Sequence, residues 1–412
     1  METSKEKIRD KNLFRNFKLM FWIQALIEVK VVNVISTLFF IYRGLSLTQI
    51  FYLAIVFSVV SLLTEIPSSY LADKWGRKKV IVLAVLANVI YWVVNIFAWS
   101  FPVFVLTVSL YALAHALMSG TDEALIYDTS KQLKLEGKSL ERLGNYFSAR
   151  RIFKIVTPIL AVLIARDLSN IQYILIISID IVATLVALTL SLFLIEPKHS
   201  LKVEKIEADI IRDAIKLFRE NTNLLRMMFN KSLFFISLFI LWRVSSEFFT
   251  SKGVSLLLLG LMVAGYQLTI FVINRNVVKL FSWLTIEKRI NVLNLLIVIL
   301  LIGFFGLNLL GISGWWLLII FALALTAEMV RWPLFSEIIN QASSSYNRAT
   351  TISLANFLKS VLDIPLLLLS AYLVSLSYSH LIGLVVILSA SAWLFFPLRE
   401  NSKRDKAVSF QS

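Results

Sequence analysis

Long apolar runs, each broken by a short charged turn, recur along this 412-residue chain. About 20 mainly apolar residues are what a helix needs to cross a bilayer core. On that length, spans are predicted near 19–41, 49–71, 80–99, 102–127, 147–166, 171–195, 229–250, 254–274, 290–310, 315–339, 351–375 and 381–397. Twelve runs of this kind predict an all-α membrane protein. The longest polar interruption divides them six and six. Residues 1–195 then form an N-terminal six-helix bundle, 196–228 a cytoplasmic linker, and 229–412 a C-terminal six-helix bundle with a cytoplasmic tail. Inside the linker Ile206, Ile210, Ala214 and Leu217 recur at helical spacing, with Lys205, Asp209, Arg212, Asp213 and Lys216 opposite. That pattern predicts an amphipathic helix at the inner leaflet.

Composition agrees with the pattern. The chain is 58% hydrophobic and 16% charged, where soluble domains carry roughly 25% charge. The net charge of +15 could suggest nucleic acid, but its placement argues otherwise. Of the 41 Lys and Arg residues, 34 fall in the segments that become cytoplasmic if both termini are inside; only Arg43, Arg166 and Lys252 fall in outer loops. This is the positive-inside distribution of a multi-pass protein of the cytoplasmic membrane, and no nucleic-acid partner is expected. Met1–Lys18 is polar and basic, so no cleavable leader is predicted. Trp22, Trp99, Trp315, Trp316 and Trp393 stand near span ends as interface anchors, while Trp242 and Trp332 fall well inside spans.

With no cysteine and three widely separated histidines, the sequence predicts no disulfide, no thiolate metal site and no cofactor. It holds no phosphate-binding loop and no nucleophile–base constellation, so an enzyme is not expected.

The most specific string is Ser69-Tyr-Leu-Ala-Asp73-Lys74-Trp-Gly76-Arg77-Lys78-Lys79, between the second and third spans. It resembles the signature of the major facilitator superfamily, G-x-L-A-D-[RK]-x-G-[RK]-[RK]. Asp73, Lys74, Gly76, Arg77 and Lys78 match it, and Ser69 stands where the family has its first glycine. The string Gly120-Thr-Asp122-Glu123-Ala-Leu-Ile-Tyr127-Asp128 is similar to the fourth helix of bacterial efflux-type members. The resemblance implies the two-bundle fold of that family, usually a monomer, and a conformational latch of Asp73, Gly76, Arg77, Lys78 and Asp128, with an Asp128–Arg77 pair that breaks on switching. Two departures stand beside it. The fifth span keeps Thr157-Pro158 without the glycine-rich string of family antiporters, and the matching loop of the second half keeps only Glu287-Lys288-Arg289.

Charges inside the spans are the remaining signal, since a lone charge at mid-bilayer costs at least ~2.5 kcal/mol. Glu28 and Lys30 fall in the first span, His115 in the fourth, Arg243 and Glu247 in the seventh, Glu328 and Arg331 in the tenth, and Lys359 and Asp363 in the eleventh. The resemblance implies that the first, fourth, seventh and tenth helices line the transport path. At i, i+4 spacing Arg243–Glu247 and Lys359–Asp363 can neutralise themselves on one helix face. Trp332-Pro333 after Glu328 and Arg331 suggests a bent, cavity-facing segment. Glu28 and Lys30 diverge by about 200° on a continuous helix, so each is expected to look elsewhere for a partner. Asp180, in the sixth span, reads as structural.

The candidates for proton coupling are therefore Glu28, Glu328 and Asp363. Those for a substrate cavity are Glu28, Lys30, His115, Trp242, Arg243, Glu247, Glu328, Arg331 and Trp332. The expected function is secondary transport, with protons and a small amphiphilic or drug-like solute as partners. The resemblance to efflux-type members favours export, of a drug-like compound or a metabolite such as a siderophore, by alternating access; the alternatives are import of a similar solute and a non-transporting sensor or scaffold of the same fold.

Overall fold

The computed structural model describes residues 2–135, 139–197, 222–275, 283–342 and 348–399. The predicted amphipathic stretch Ile206–Leu217 lies outside them. Among the described residues there are fifteen α-helices and no strand. The first six are α1 (Glu2–Ile27), α2 (Ser36–Tyr42), α3 (Leu47–Trp75), α4 (Arg77–Ile96), α5 (Phe101–Met118) and α6 (Thr121–Gln132). Then come α7 (Ser139–Ala149), α8 (Thr157–Ile164), α9 (Asn170–Leu192), α10 (Thr222–Ser251) and α11 (Leu256–Arg275). The last four are α12 (Ile286–Leu309), α13 (Gly314–Ala342), α14 (Arg348–Leu376) and α15 (Tyr378–Phe395). A 3₁₀ turn, Val31–Ile35, separates α1 from α2.

Among the described residues, eleven helical segments are long and apolar enough to cross a membrane. The expected fifth span is the exception, and the reason is local. Residues 147–166 are divided between the end of α7, a tighter coil and α8. In the coil Arg150, Arg151, Ile152 and Lys154 each donate backbone N–H to the carbonyl three residues back, the tighter 3₁₀ pattern. Pro158 sits in the first turn of α8, where its missing N–H costs no helical bond. The fourth span is also interrupted, because Gly120 adopts φ +75° between α5 and α6, a conformation glycine tolerates without strain.

The chain divides into two compact units, Met1–Val203 with Ser255–Ala264, and Glu204–Val254 with Gly265–Ser412. In the first, α4 packs on α5 and α9, α1 on α9, and α3 on α5. Its core gathers Met20, Ile23, Ile81, Val85, Leu125, Ile126 and Ala187. In the second, α12 packs on α13 and α15, and α10 on α14 and α15. Phe248, Phe249, Phe304 and Phe321 meet there ring against ring.

Candidate functional site

The first span breaks where its sequence is least helical. Val29, Val31, Val32, Val34 and Ile35 crowd β-branched side chains into seven residues, and such residues lose rotamer freedom in a helix. The α-helix ends at Ile27, and Lys30 adopts φ −131°, ψ 73°. Leaving the helix frees backbone donors in an apolar layer, and unpaired donors there are costly. Asp180 of α9 answers two of them: its Oδ1 accepts the Val31 N–H at 2.8 Å and its Oδ2 the Val32 N–H at 3.4 Å. Asp180 is fully buried, so its role in the sixth span is to hold this break.

Around the break lies a cluster of charges near the middle of the apolar segment Asn12–Tyr42. Lys30 Nζ is 3.5 Å and Lys154 Nζ 3.2 Å from the same Glu28 Oε2. The expectation that Glu28 and Lys30 cannot meet is corrected here, because the 200° divergence assumed a continuous helix and the chain has left it. Lys30 Nζ also lies 5.6 Å from the centre of the Tyr111 ring. Next to this trio, Arg150 Nη2 lies 3.6 Å from Asp122 Oδ2. Tyr146 Oη contacts both Asp122 Oδ2 and Gln24 Oε1, the latter at 2.6 Å. Each ionic member sits at an interruption or just beyond one: Glu28 and Lys30 in span one, Asp122 after Gly120 in span four, Arg150 and Lys154 in the coil between α7 and α8. Discontinuous helices with clustered polar groups are a way of building a solute site at membrane depth.

Of this cluster, the sequence singled out only Glu28 and Lys30. Arg150 and Lys154 read as cytoplasmic loop charges although both fall in the first half of the predicted span 147–166; the signal that could have placed them deeper is that span itself. Tyr146 and Gln24 carried no signal. His115 is not part of the cluster: it is exposed on α5, its ring centre 5.8 Å from that of Phe57 on α3.

In the second unit Arg331 is fully buried and Glu328 nearly so. The two side chains pair directly. Arg331 Nη2 donates to Asn230 Oδ1 at 2.7 Å, and its guanidinium lies 4.4 Å from the Phe234 ring centre. Asn230 also donates to the carbonyls of Ala392 and Phe396, and its Oδ1 accepts from Asn294. The cavity-facing role expected of Glu328 and Arg331 is therefore corrected. They are sealed in a network that ties α10, α12, α13 and the end of α15 together, and Asn230, unremarked in the sequence, is its hub. Trp332, next to Arg331, is 38% exposed, with Lys231 Nζ 4.7 Å over its ring. Trp242 lies between Tyr266 and Phe321, at 6.1 and 6.5 Å.

Lys359 and Asp363 pair at 3.6 Å. Asp363, on a different helix, is the acid whose charge bears on Arg243, while Glu247 one turn along its own helix has a carboxylate oxygen, Oε2, buried without a hydrogen-bond partner. The expected Arg243–Glu247 pair is thus corrected: sequence spacing allows a pair, but packing of α10 against α14 supplies another acid. Arg243 lies 4.5 Å from the centre of the Phe239 ring.

At the turn after α3, Arg77 Nε is 2.7 Å from Asp128 Oδ2, so the structure brings these two residues together. Asp73 falls within α3, but its side chain lies outside the described residues. A residue the sequence did not assign completes the turn. Glu196 accepts the Arg77 N–H at 2.9 Å and the Lys78 N–H at 2.7 Å, placing a carboxylate on the N-terminus of α4. Gly76, at φ +96°, passes so close that a Cβ would come within 3.0 Å of that carboxylate.

Paired ions within apolar segments, interrupted helices and a short basic turn define a polytopic helical membrane protein of the transporter class. The sequence profile of the Major Facilitator Superfamily matches residues 20–364, and the chain belongs to that superfamily. Among solved structures it is similar to a point mutant of the nucleoside transporter NupG, with TM-score 0.72 and 14% identity over 93% of this chain and 100% of that one. It is also similar to a D-xylose–proton symporter, with TM-score 0.72 and 14% identity over 95% of this chain and 98% of that one. A bacterial homologue of the human lysosomal transporter Spinster, inward-facing and occupied, gives TM-score 0.67 and 15% identity over 94% and 96%. At these identities the likeness is one of fold. No curated protein matches the chain by sequence.

Proposed function

We propose that this protein is a proton-coupled secondary transporter of the cytoplasmic membrane, acting as a monomer by alternating access, with both termini in the cytoplasm. Its cargo is a small amphiphilic or drug-like compound, or a secreted metabolite such as a siderophore, and the direction is export. The observation that carries the reading is the Glu28–Lys30–Lys154 trio. Two ammonium groups share one carboxylate oxygen, and the Lys154 side chain is 39% exposed. Partly open charges at that depth need water or a polar solute, not lipid. Mixed signs there suit a solute with both charged and apolar parts.

Import of a similar solute is the second reading. It is favoured by the absence of the antiporter glycine string in span five, which here is interrupted instead.

The test is solute flux in proteoliposomes under an imposed proton gradient. Candidate solutes come from a toxicity screen of an expressing strain against a deletion strain. Gradient-dependent flux abolished by Glu28→Gln supports transport, and the sign of the gradient effect gives the direction. Absence of flux for every compound to which the strains differ in sensitivity would favour a non-transporting sensor or scaffold.

A further inference from the structure

The proton-binding acid of the first unit has a requirement that Glu28 meets poorly. A proton on Glu28 would leave two ammonium groups, Lys30 and Lys154, sharing a neutral oxygen. Asp122 is surrounded differently. It is 2% exposed, and its Oδ1 accepts the Glu123 N–H at 2.7 Å. Its Oδ2 faces Tyr146 Oη. The charged and titratable groups around it are Tyr146 on α7, Arg150 just beyond α7, and Glu123 beside it on α6.

Counting hydrogens bears on the arrangement. Tyr146 Oη touches two oxygens, Asp122 Oδ2 and Gln24 Oε1, yet a phenol carries one proton. Two oxygen–oxygen contacts need two protons. With Gln24 Oε1 turned to the phenol, neither that oxygen nor an ionised carboxylate has a proton to give, so this orientation of the amide calls for the second proton on Asp122. We infer that Asp122 is a proton-binding site of this protein, read out through Tyr146: Asp122 Oδ2–H donates to Tyr146 Oη, whose own proton goes to Gln24 Oε1. This rests on the transport reading above and adds a residue to it.

The chain of three gives the proton a mechanical consequence. While Asp122 is protonated, Tyr146 ties α7 to α1 one turn before Glu28. When the proton leaves, the Tyr146 hydroxyl turns to the carboxylate and Gln24 loses its donor. Arg150, 3.6 Å away with a side chain 41% exposed, closes on the new charge. Protonation therefore switches the tie between α1 and α7 beside the interruption that holds the Glu28 trio.

The test is infrared difference spectroscopy of the purified protein in lipid nanodiscs, titrated from acid to alkaline pH with no solute added. The expected result is a protonated-carboxyl C=O band, present at neutral pH, that is lost in Asp122→Asn and retained in Glu28→Gln. In Tyr146→Phe the band shifts to higher wavenumber, because it loses its hydrogen-bond acceptor; this variant keeps the test decisive if Asp122→Asn does not fold. Absence of the band at neutral pH in the wild type would mean that the Gln24 amide N–H₂ faces Tyr146, and overturns the assignment. So does a band unchanged in Asp122→Asn, or unshifted in Tyr146→Phe. Failure of solute flux with this band intact would strike the transport reading alone.

Discussion

Neutralising Glu28 should destabilise the first unit, and removing Lys154 as well should give part of that stability back. The Lys154–Glu28 distance of 3.2 Å corresponds to a gross attraction of about 5 kcal/mol at an effective dielectric of ~20. Exposure of Lys154 and desolvation of both groups reduce this to a net coupling on the order of 1–3 kcal/mol. Glu28→Gln leaves Lys30 and Lys154 facing each other without a counter-charge, so its loss should exceed that of Lys154→Met, which leaves the Glu28–Lys30 pair intact. The double variant carries one ammonium group instead of two, and its loss should be smaller than the sum of the single losses by that same ~1–3 kcal/mol. The assay is denaturant unfolding of the purified protein in a fixed detergent, followed by tryptophan fluorescence, for all four corners of the cycle. Additivity to within about 0.5 kcal/mol would refute the argument, since it would mean that the two side chains do not interact in the folded protein.

Three further outcomes follow from other contacts. Asp180→Leu should strand the Val31 and Val32 N–H donors at about 1–3 kcal/mol each, with Asp180→Asn losing less because one oxygen remains; equal stability of both variants with the wild type would exclude the capping role. Arg331→Met should leave Glu328 buried without its partner and cost about 3–5 kcal/mol, whereas Arg331→Met with Glu328→Leu should recover much of it, as unfolding measurements would register. Reversing the latch pair as Arg77→Asp with Asp128→Arg should restore the conformational equilibrium that Asp128→Asn alone disturbs; because the chain has no cysteine, single introduced thiols and a membrane-impermeant maleimide report it cleanly, and identical labelling of Asp128→Asn and wild type would dismiss the pair as a switch.

Much of the fold was legible along the chain because burial in lipid imposes a length and a composition that no other solvent demands. Apolar runs near Arg77–Ile96, Asn170–Leu192 and Ile286–Leu309 could be read as spans from hydropathy alone. The signature turn was legible too, because Asp73 to Lys79 is a contiguous string. Hydropathy did not reveal where helices stop inside the membrane, since the stretch from Val29 to Ile35 is almost as apolar as its flanks. Its breakage depends on Asp180, 149 residues beyond Val31, accepting the freed N–H groups. The same gap explains the misreading of Glu28 with Lys30 and of Arg243 with Glu247. Helical spacing states which side chains can meet on one helix, and says nothing of a neighbour that offers a better-placed charge.

What the sequence determined by itself is therefore the solvent, the span count to within one interrupted helix, and the superfamily, since each depends on residues adjacent in the chain. Only the tertiary structure decided which charges are partners. It put Lys154 on Glu28, Glu196 on the α4 N-terminus and Asn230 under Arg331. The physical reason is that an ion in a low-dielectric layer is stabilised by whatever opposite charge lies within a few ångströms, and distance in space is set by helix packing, not by order along the chain.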